Sequence, residues 1–314
     1  MQLVKLARNA MATRFEIVLH GANPVSLRAA GEEALDEIER LENQLSLFKS
    51  SSEIARLNSR AARESVRVTP TLFALLEHAK KLSGETSGAF DITVAPLMKC
   101  WGLMQREGKI PSQEELAEAR SKIGMHLVHL NRADFTVRFE REGVMLDLGA
   151  IGKGYAIERA AELLREAGVT SALLHGGTST VQAIGHPPNS DSWKTAIEQP
   201  GQKGLLATVP LKDESLSVSA VWGKSFEAGG KTFGHVIDPR SGRPVSSALL
   251  AAVVLPSATE TDALSTALLT LGASGHEKIS SLRNGMRTLL VTSAASGFHV
   301  EARGINVTAG EMRL

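Results

Sequence analysis

The chain has a single cysteine, Cys100, in 314 residues. It can close no disulfide within itself and offers no cysteine cluster for zinc. Aromatic residues are scarce at 4%, with one tyrosine. Neither sign of charge dominates, since 35 Lys and Arg stand against 34 Asp and Glu for a formal net charge of +1. Nucleic-acid binders need a strongly basic face, and this balance argues against one. A membrane-spanning helix needs a run of about 18 apolar residues, and the sequence has none; its best apolar stretch, Ala248 to Pro256, reads as a buried strand. Ahead of Arg8 there is no apolar leader core and no lipobox cysteine. The chain as given is therefore expected in the cytoplasm, or exported if a leader was removed from a longer precursor.

What the chain does contain is enough apolar residue, 43%, to bury a large core in one big domain or in two intimately joined lobes. Asn23-Pro24 reads as an N-cap and first helical residue, opening a helix with Leu27, Ala34, Ile38, Leu41 and Leu45 on one face. Thr69-Pro70 opens a second helix, and Ser112 with Glu115 forms a capping box for a third. Strands are expected at Leu127–Leu130, Thr136–Glu140, Val144–Asp147, Ser171–Leu174, Val181–Ile184 and Thr195–Glu198. A helix over Lys153–Ala167 lies among them, and Arg287–Thr292 with Gly297–Glu301 reads as a late hairpin. The fold class is α+β, mixed sheets with flanking helices, and no stretch looks like a linker.

Three segments concentrate chemistry. In Gly234–Pro244, GHVIDPRSGRP, an imidazole, a carboxylate and a guanidinium sit on a backbone stiffened by Pro239 and turned at Ser241-Gly242. The same residues also suit a strand ending in a turn. Asp147–Tyr155, DLGAIGKGY, reads as a strand, a glycine-rich turn and a helix start, where unpaired N–H groups and Lys153 suit an anion. Its spacing is not that of a P-loop; glycines that merely allow close helix packing are the other reading. In Thr259–Gly272, Asp262 and Thr266 lie one turn apart on a helix and offer hard oxygen ligands for Mg²⁺. Thr259 and Asp262 equally fit an N-cap and its partner three residues on.

Taken together and in order, these segments resemble the ApbE-type flavin transferases, the FAD:protein FMN transferases. The resemblance starts at Arg8 and Met11-Ala12-Thr13 and runs through Leu45–Phe48, Ser52–Ile54, Leu57-Asn58, Gly88–Leu97 and Trp101-Gly102. It continues in Asp147–Tyr155, Gly234–Pro244 and Thr261–Ala267. Departures from the family pattern are Ala12 for Gly, Ile92 for Pro, His175–Thr180 where Gly-Gly-Asp is usual, and Ser217-Val218-Ser219 where Ser-Thr-Ser is frequent. They mark a divergent branch.

The resemblance implies a single ApbE-like domain over residues 1–314 and phosphoryl transfer, in which FMN passes from FAD to a Ser or Thr hydroxyl of a target protein and AMP leaves. It implies an FAD site lined by Met11, Ala89, Phe90, Asp91, Asp147 and Lys153. Asp262, Thr266 and the carbonyl of Ala150 would hold Mg²⁺, and His235 is the candidate base for the acceptor hydroxyl. Phe48, Phe90 and Trp101 lie in family-like segments as candidate flavin neighbours, or as core. An Mg²⁺-dependent FAD pyrophosphatase would use the same metal with water as acceptor, and a non-catalytic FAD carrier would need no metal at all.

Overall fold

Alternating apolar positions build the main sheet. In the computed structural model, which describes residues 1–104, 107–201, 204–222, 225–295 and 297–308, eight strands form it. They are β1 (Gln2–Ala10), β2 (Thr13–Gly21), β3 (Ala172–Gly176), β4 (Thr180–Ile184), β5 (Ser215–Ala220), β6 (Ala248–Leu255), β7 (Arg287–Ala294) and β8 (Gly297–Arg303). Their order across the sheet is their order in the chain, and every neighbouring pair is antiparallel. The sheet is thus a meander into which other segments are inserted.

Four helices accompany these strands, α1 (Pro24–Leu45), α2 (Gly152–Glu166), α3 (Ala258–Leu271) and α4 (Ala273–Ser280). The Asn23 side chain accepts from Val25 and Ser26 N–H at the start of α1, and Leu27, Ala34, Ile38, Leu41 and Leu45 are all buried, as the spacing requires. Helices α2 and α3 pack on each other and on the central strands. Helix α3 is buried almost all round, and each of Leu264, Leu268 and Leu269 contributes about 1.5–3 kcal/mol by burial. Strands Trp193–Glu198 and Leu205–Leu211 form a hairpin whose Trp193, Ile197, Val209 and Leu211 share an apolar cluster with Leu216, Leu250, Val254 and Val291 of the sheet.

The chain divides into two compact units, the first comprising Met1–Glu42, Ile151–Ala220 and Ala248–Leu314, the second Asn43–Ala150 and Val221–Ser247. The second unit carries helices Glu53–Arg60, Pro70–Glu85, Ala95–Cys100 and Gln113–Arg120; Ser52, Thr69 and Ser112 cap the first, second and fourth, while Ala95–Cys100 starts after Val94 with no side-chain cap. Ser112 and Glu115 form the capping box in full. A three-stranded antiparallel sheet joins Val66–Arg67, Thr136–Phe139 and Val128–Asn131 in that order. Two short hairpins pair Ser225–Ala228 with Lys231–Gly234 and Ile237–Asp238 with Arg243–Pro244. Helices and several antiparallel sheets together make the class α+β.

One expected strand is absent. Val144–Asp147 alternates in burial as a strand would, but no strand pairs with it. Its backbone is satisfied instead by the Asn58 side chain, whose Oδ1 accepts from Leu146 N–H at 2.8 Å and whose Nδ2 donates to Leu146 O at 3.0 Å. The Asp147 N–H donates to Ile92 O at 2.7 Å. A side-chain amide here does the work of a neighbouring strand.

Candidate functional site

The first unit holds two of the three expected metal ligands, Asp262 and Thr266. Helix α3 starts two residues earlier than the Thr259–Asp262 capping alternative needs, because Ser257 is the cap: its Oγ accepts from Glu260 N–H at 3.1 Å. Thr259 gives its N–H to Glu158, and Asp262 is left inside the helix. There its carboxylate, 4% exposed, accepts the Gly154 N–H at Oδ2, 2.9 Å away. Among the described residues that is its one hydrogen bond, and none supplies a cation to pair with it. Buried carboxylates are ordinarily paired or bound to a metal. From Thr261 to Thr270, Thr266 is the one residue not fully buried, so a hydroxyl shares the Asp262 face where α3 reaches accessible space. A carboxylate oxygen without a donor and the hydroxyl of a half-buried threonine one turn on are hard ligands suited to Mg²⁺.

Gly154 explains the glycine-rich turn. Helix α2 begins at Gly152, its cap residue Ile151 makes no side-chain cap bond, and Lys153 lies in the first turn. At Gly154 a Cβ would collide with the Ala258 carbonyl and stand 2.7 Å from the Asp262 Cβ. Close packing of α2 on α3 and presentation of an N–H to Asp262 therefore demand the same glycine. One of the first N–H groups of α2, expected from sequence to meet a ligand anion, goes to a protein carboxylate.

Met11 and Ala12 form the two-residue turn between β1 and β2, with φ of 49° and 57°. The Met11 N–H donates to Glu42 Oε1 at 2.8 Å, which ties the turn to the end of α1.

The remaining predicted positions belong to the second unit. Asp91 is buried, and its carboxylate accepts from Thr93 N–H, Thr93 Oγ1, Ser83 Oγ and Met125 N–H at 2.6–3.2 Å. Four donors around one carboxylate make it the knot that shapes the Gly88–Thr93 segment. Ala89 and Phe90 are buried beside it, each 1% exposed. Trp101 is also core: it packs against Phe226 and Phe233, and its Nε1 donates to Gly242 O at 2.8 Å. Of the three candidate flavin neighbours, only Phe48 is exposed, at 73%. Asp147 Oδ1 accepts the Gly149 N–H at 2.7 Å and folds the chain into the turn before Ala150.

His235 is half-buried between the two hairpins. Close by in sequence, Asp238 receives Arg240 through Nε at 2.9 Å and NH2 at 3.0 Å, which raises the guanidinium pKa above its ordinary value. Gly242, at φ 74°, closes that hairpin with its N–H on Asp238 O at 2.7 Å. The turn reading of Gly234–Pro244 thus holds for Asp238–Gly242, while His235 lies outside it. Burial pushes the Cys100 thiol pKa up, away from nucleophilic use.

By unit, Met11, Lys153, Asp262 and Thr266 fall in the first, and Ala89, Phe90, Asp91, Asp147, Ala150 and His235 in the second. Asp262 and Thr266 are brought together as their spacing required. Sequence reasoning noted Ser219 only as part of Ser217-Val218-Ser219 and missed its contact with Thr266 Oγ1, 3.1 Å away. It also missed Glu42, one turn before the end of α1.

Comparison with known proteins adds independent findings. Residues 11–290 match the model of the ApbE family. A FAD:protein FMN transferase of Escherichia coli K12 is 27% identical over 304 residues, covering 95% of this chain and 86% of that protein. One from Treponema pallidum is 30% identical, with 85% and 78% covered. Among solved structures, the ApbE protein of Thermotoga maritima superposes with a TM-score of 0.87 at 26% identity over 96% of this chain and 97% of the other. The apo flavinyl transferase ApbE of Pseudomonas stutzeri gives 0.84 at 28% identity, with 96% and 95% covered.

Proposed function

Because the chain belongs to the ApbE family, shown by its match over residues 11–290, we propose that it is a flavin transferase moving the FMN part of FAD onto a Ser or Thr hydroxyl of a target protein. In this reaction the acceptor oxygen attacks the phosphorus on the FMN side of the pyrophosphate. The bond to the bridging oxygen breaks, AMP departs with that oxygen, and a phosphodiester joins FMN to the acceptor. The hydroxyl proton passes to a base, for which His235 is the candidate because a neutral imidazole accepts a proton near neutral pH.

The observation that carries this reading is the Asp262–Thr266 pair: a buried carboxylate steadied at one oxygen by Gly154 N–H, with the hydroxyl of half-buried Thr266 on the same helix face. Mg²⁺ bound there would neutralise charge on the pyrophosphate. Ala150, whose carbonyl the family resemblance adds to the ligand set, is the last residue before α2 leads in through Ile151. Lys153, in the first turn of α2, would add positive charge toward the phosphates. The rest of the work is positioning, as is usual in phosphoryl transfer.

Asp262→Asn tests the reading. The amide oxygen still accepts from Gly154 N–H, so the fold should hold, with a thermal midpoint within a few degrees of wild type. Mg²⁺-dependent consumption of FAD should fall by roughly 10²-fold or more, as for loss of a group stabilising transition-state charge. Full activity in this variant would place the metal elsewhere.

A further inference from the structure

Ser219, on β5, touches α3 at the turn that bears Thr266. Its Oγ lies 2.8 Å from Ser265 Oγ and 3.1 Å from Thr266 Oγ1. The Ser265 and Thr266 hydroxyls both donate to the Asp262 carbonyl, at 3.0 and 3.2 Å. A hydroxyl oxygen has one hydrogen and two lone pairs. At Thr266 the hydrogen is directed to Asp262 O, and one lone pair faces Ser219, whose single hydrogen is shared between Ser265 Oγ and Thr266 Oγ1. A single lone pair remains, and two hydrogen bonds fix its direction.

Two residues earlier on the same strand, Ser217 faces the same helix and makes a comparable contact with a different partner. Its Oγ meets Thr261 Oγ1 at 2.9 Å and Thr180 Oγ1 at 3.2 Å, and Thr261, the residue just before Asp262, lies more than a turn from Thr266. Both serines tie β5 to α3, yet Ser217 reaches the fully buried Thr261, and only Ser219 reaches a half-buried threonine one turn from Asp262.

We propose that Ser219 is a positioning residue for the metal site: it locks the Thr266 rotamer so that the remaining lone pair points at the bound cation, as Gly154 N–H does for the Asp262 carboxylate. This rests on the reading of Asp262 and Thr266 as Mg²⁺ ligands. Hydrogen bonds behind a ligand orient it, and their removal commonly weakens metal binding by about 10-fold or more. Ser219 touches neither substrate nor metal, so its effect is read in affinity.

The test titrates Mn²⁺, which takes the same oxygen ligands as Mg²⁺, into the full chain with saturating FAD, following free Mn²⁺ by electron paramagnetic resonance. Wild type, Asp262→Asn, Ser219→Ala, Ser219→Cys and Ser217→Ala are compared, each with its metal-free thermal midpoint. The cysteine variant keeps the volume and weakens the hydrogen bond, so it serves should the alanine variant not fold. The expected result is one site in wild type, lost in Asp262→Asn, weakened about 10-fold in the Ser219 variants and changed less than about 2-fold in Ser217→Ala. Wild-type affinity in the Ser219 variants, with binding lost in Asp262→Asn, would overturn the role of Ser219 and leave the metal site standing. Equal weakening in Ser217→Ala would reduce the effect to strand–helix packing and also overturn it. Undiminished binding in Asp262→Asn would overturn the site itself, and this inference with it.

Discussion

The N–H of Gly154 and the Oδ2 of Asp262 meet at 2.9 Å, although 108 positions separate them in the chain. That bond joins the first turn of α2 to the middle of α3, and the glycine leaves no room for anything larger. Gly154→Ala should therefore act twice. Overpacking of this kind costs about 1–3 kcal/mol, and the displaced N–H would free Asp262 to rotate. Urea denaturation should show the lost stability, and calorimetric titration a weakened response to Mg²⁺. A variant as stable as wild type would mean that the two helices separate easily and that the glycine serves another purpose.

Ala12 stands where the family pattern has glycine, and its φ of 57° lies in the left-handed region. A non-glycine residue there costs roughly 1–2 kcal/mol, and two-residue hairpin turns with both central φ positive favour glycine at the second position. Part of that strain is offset by the smaller unfolded-state entropy of alanine. Ala12→Gly should raise stability by about 0.5–1 kcal/mol, seen as a higher thermal midpoint. An unchanged or lower midpoint would show that the Met11–Glu42 bond already absorbs the strain.

Phe48 and Phe90 separate contact with a ligand from packing. The first is 73% exposed and the second 1%. Phe48→Ala should leave the midpoint within about 1 °C, since exposed substitutions rarely exceed 0.5 kcal/mol, while FAD affinity falls several-fold if the ring stacks on the flavin, a contact worth about 1 kcal/mol. Phe90→Ala should cost about 3–5 kcal/mol. Fluorescence quenching of FAD measures the first, and denaturant unfolding the second. Unaltered FAD affinity in Phe48→Ala would remove that ring from the flavin site.

Much of this architecture was legible wherever local chemistry decides. Asn23-Pro24, Thr69-Pro70 and Ser112 announced three helix starts because their side chains satisfy the first N–H groups directly. The β1–β2 hairpin stayed hidden because Met11-Ala12 is not a turn sequence, and Glu42, distant in the chain, supplies the compensating bond. Val144–Asp147 looked like a strand because burial alternates along it, yet Asn58 takes the place of a partner strand. The Asp262–Thr266 pair was visible as an i, i+4 spacing. What distinguishes it from a helix cap is Ser257, and what supports it is Ser219; both depend on tertiary contacts that no local pattern encodes.

The most direct test of the central claim is mass spectrometry of an acceptor protein or peptide library containing Ser and Thr, incubated with the chain, FAD and Mg²⁺, with AMP quantified in the same samples. The account expects an acceptor heavier by one FMN phosphodiester for each AMP released, with neither product formed when the metal is chelated. Release of FMN and AMP with no acceptor ever labelled would contradict it and identify a pyrophosphatase.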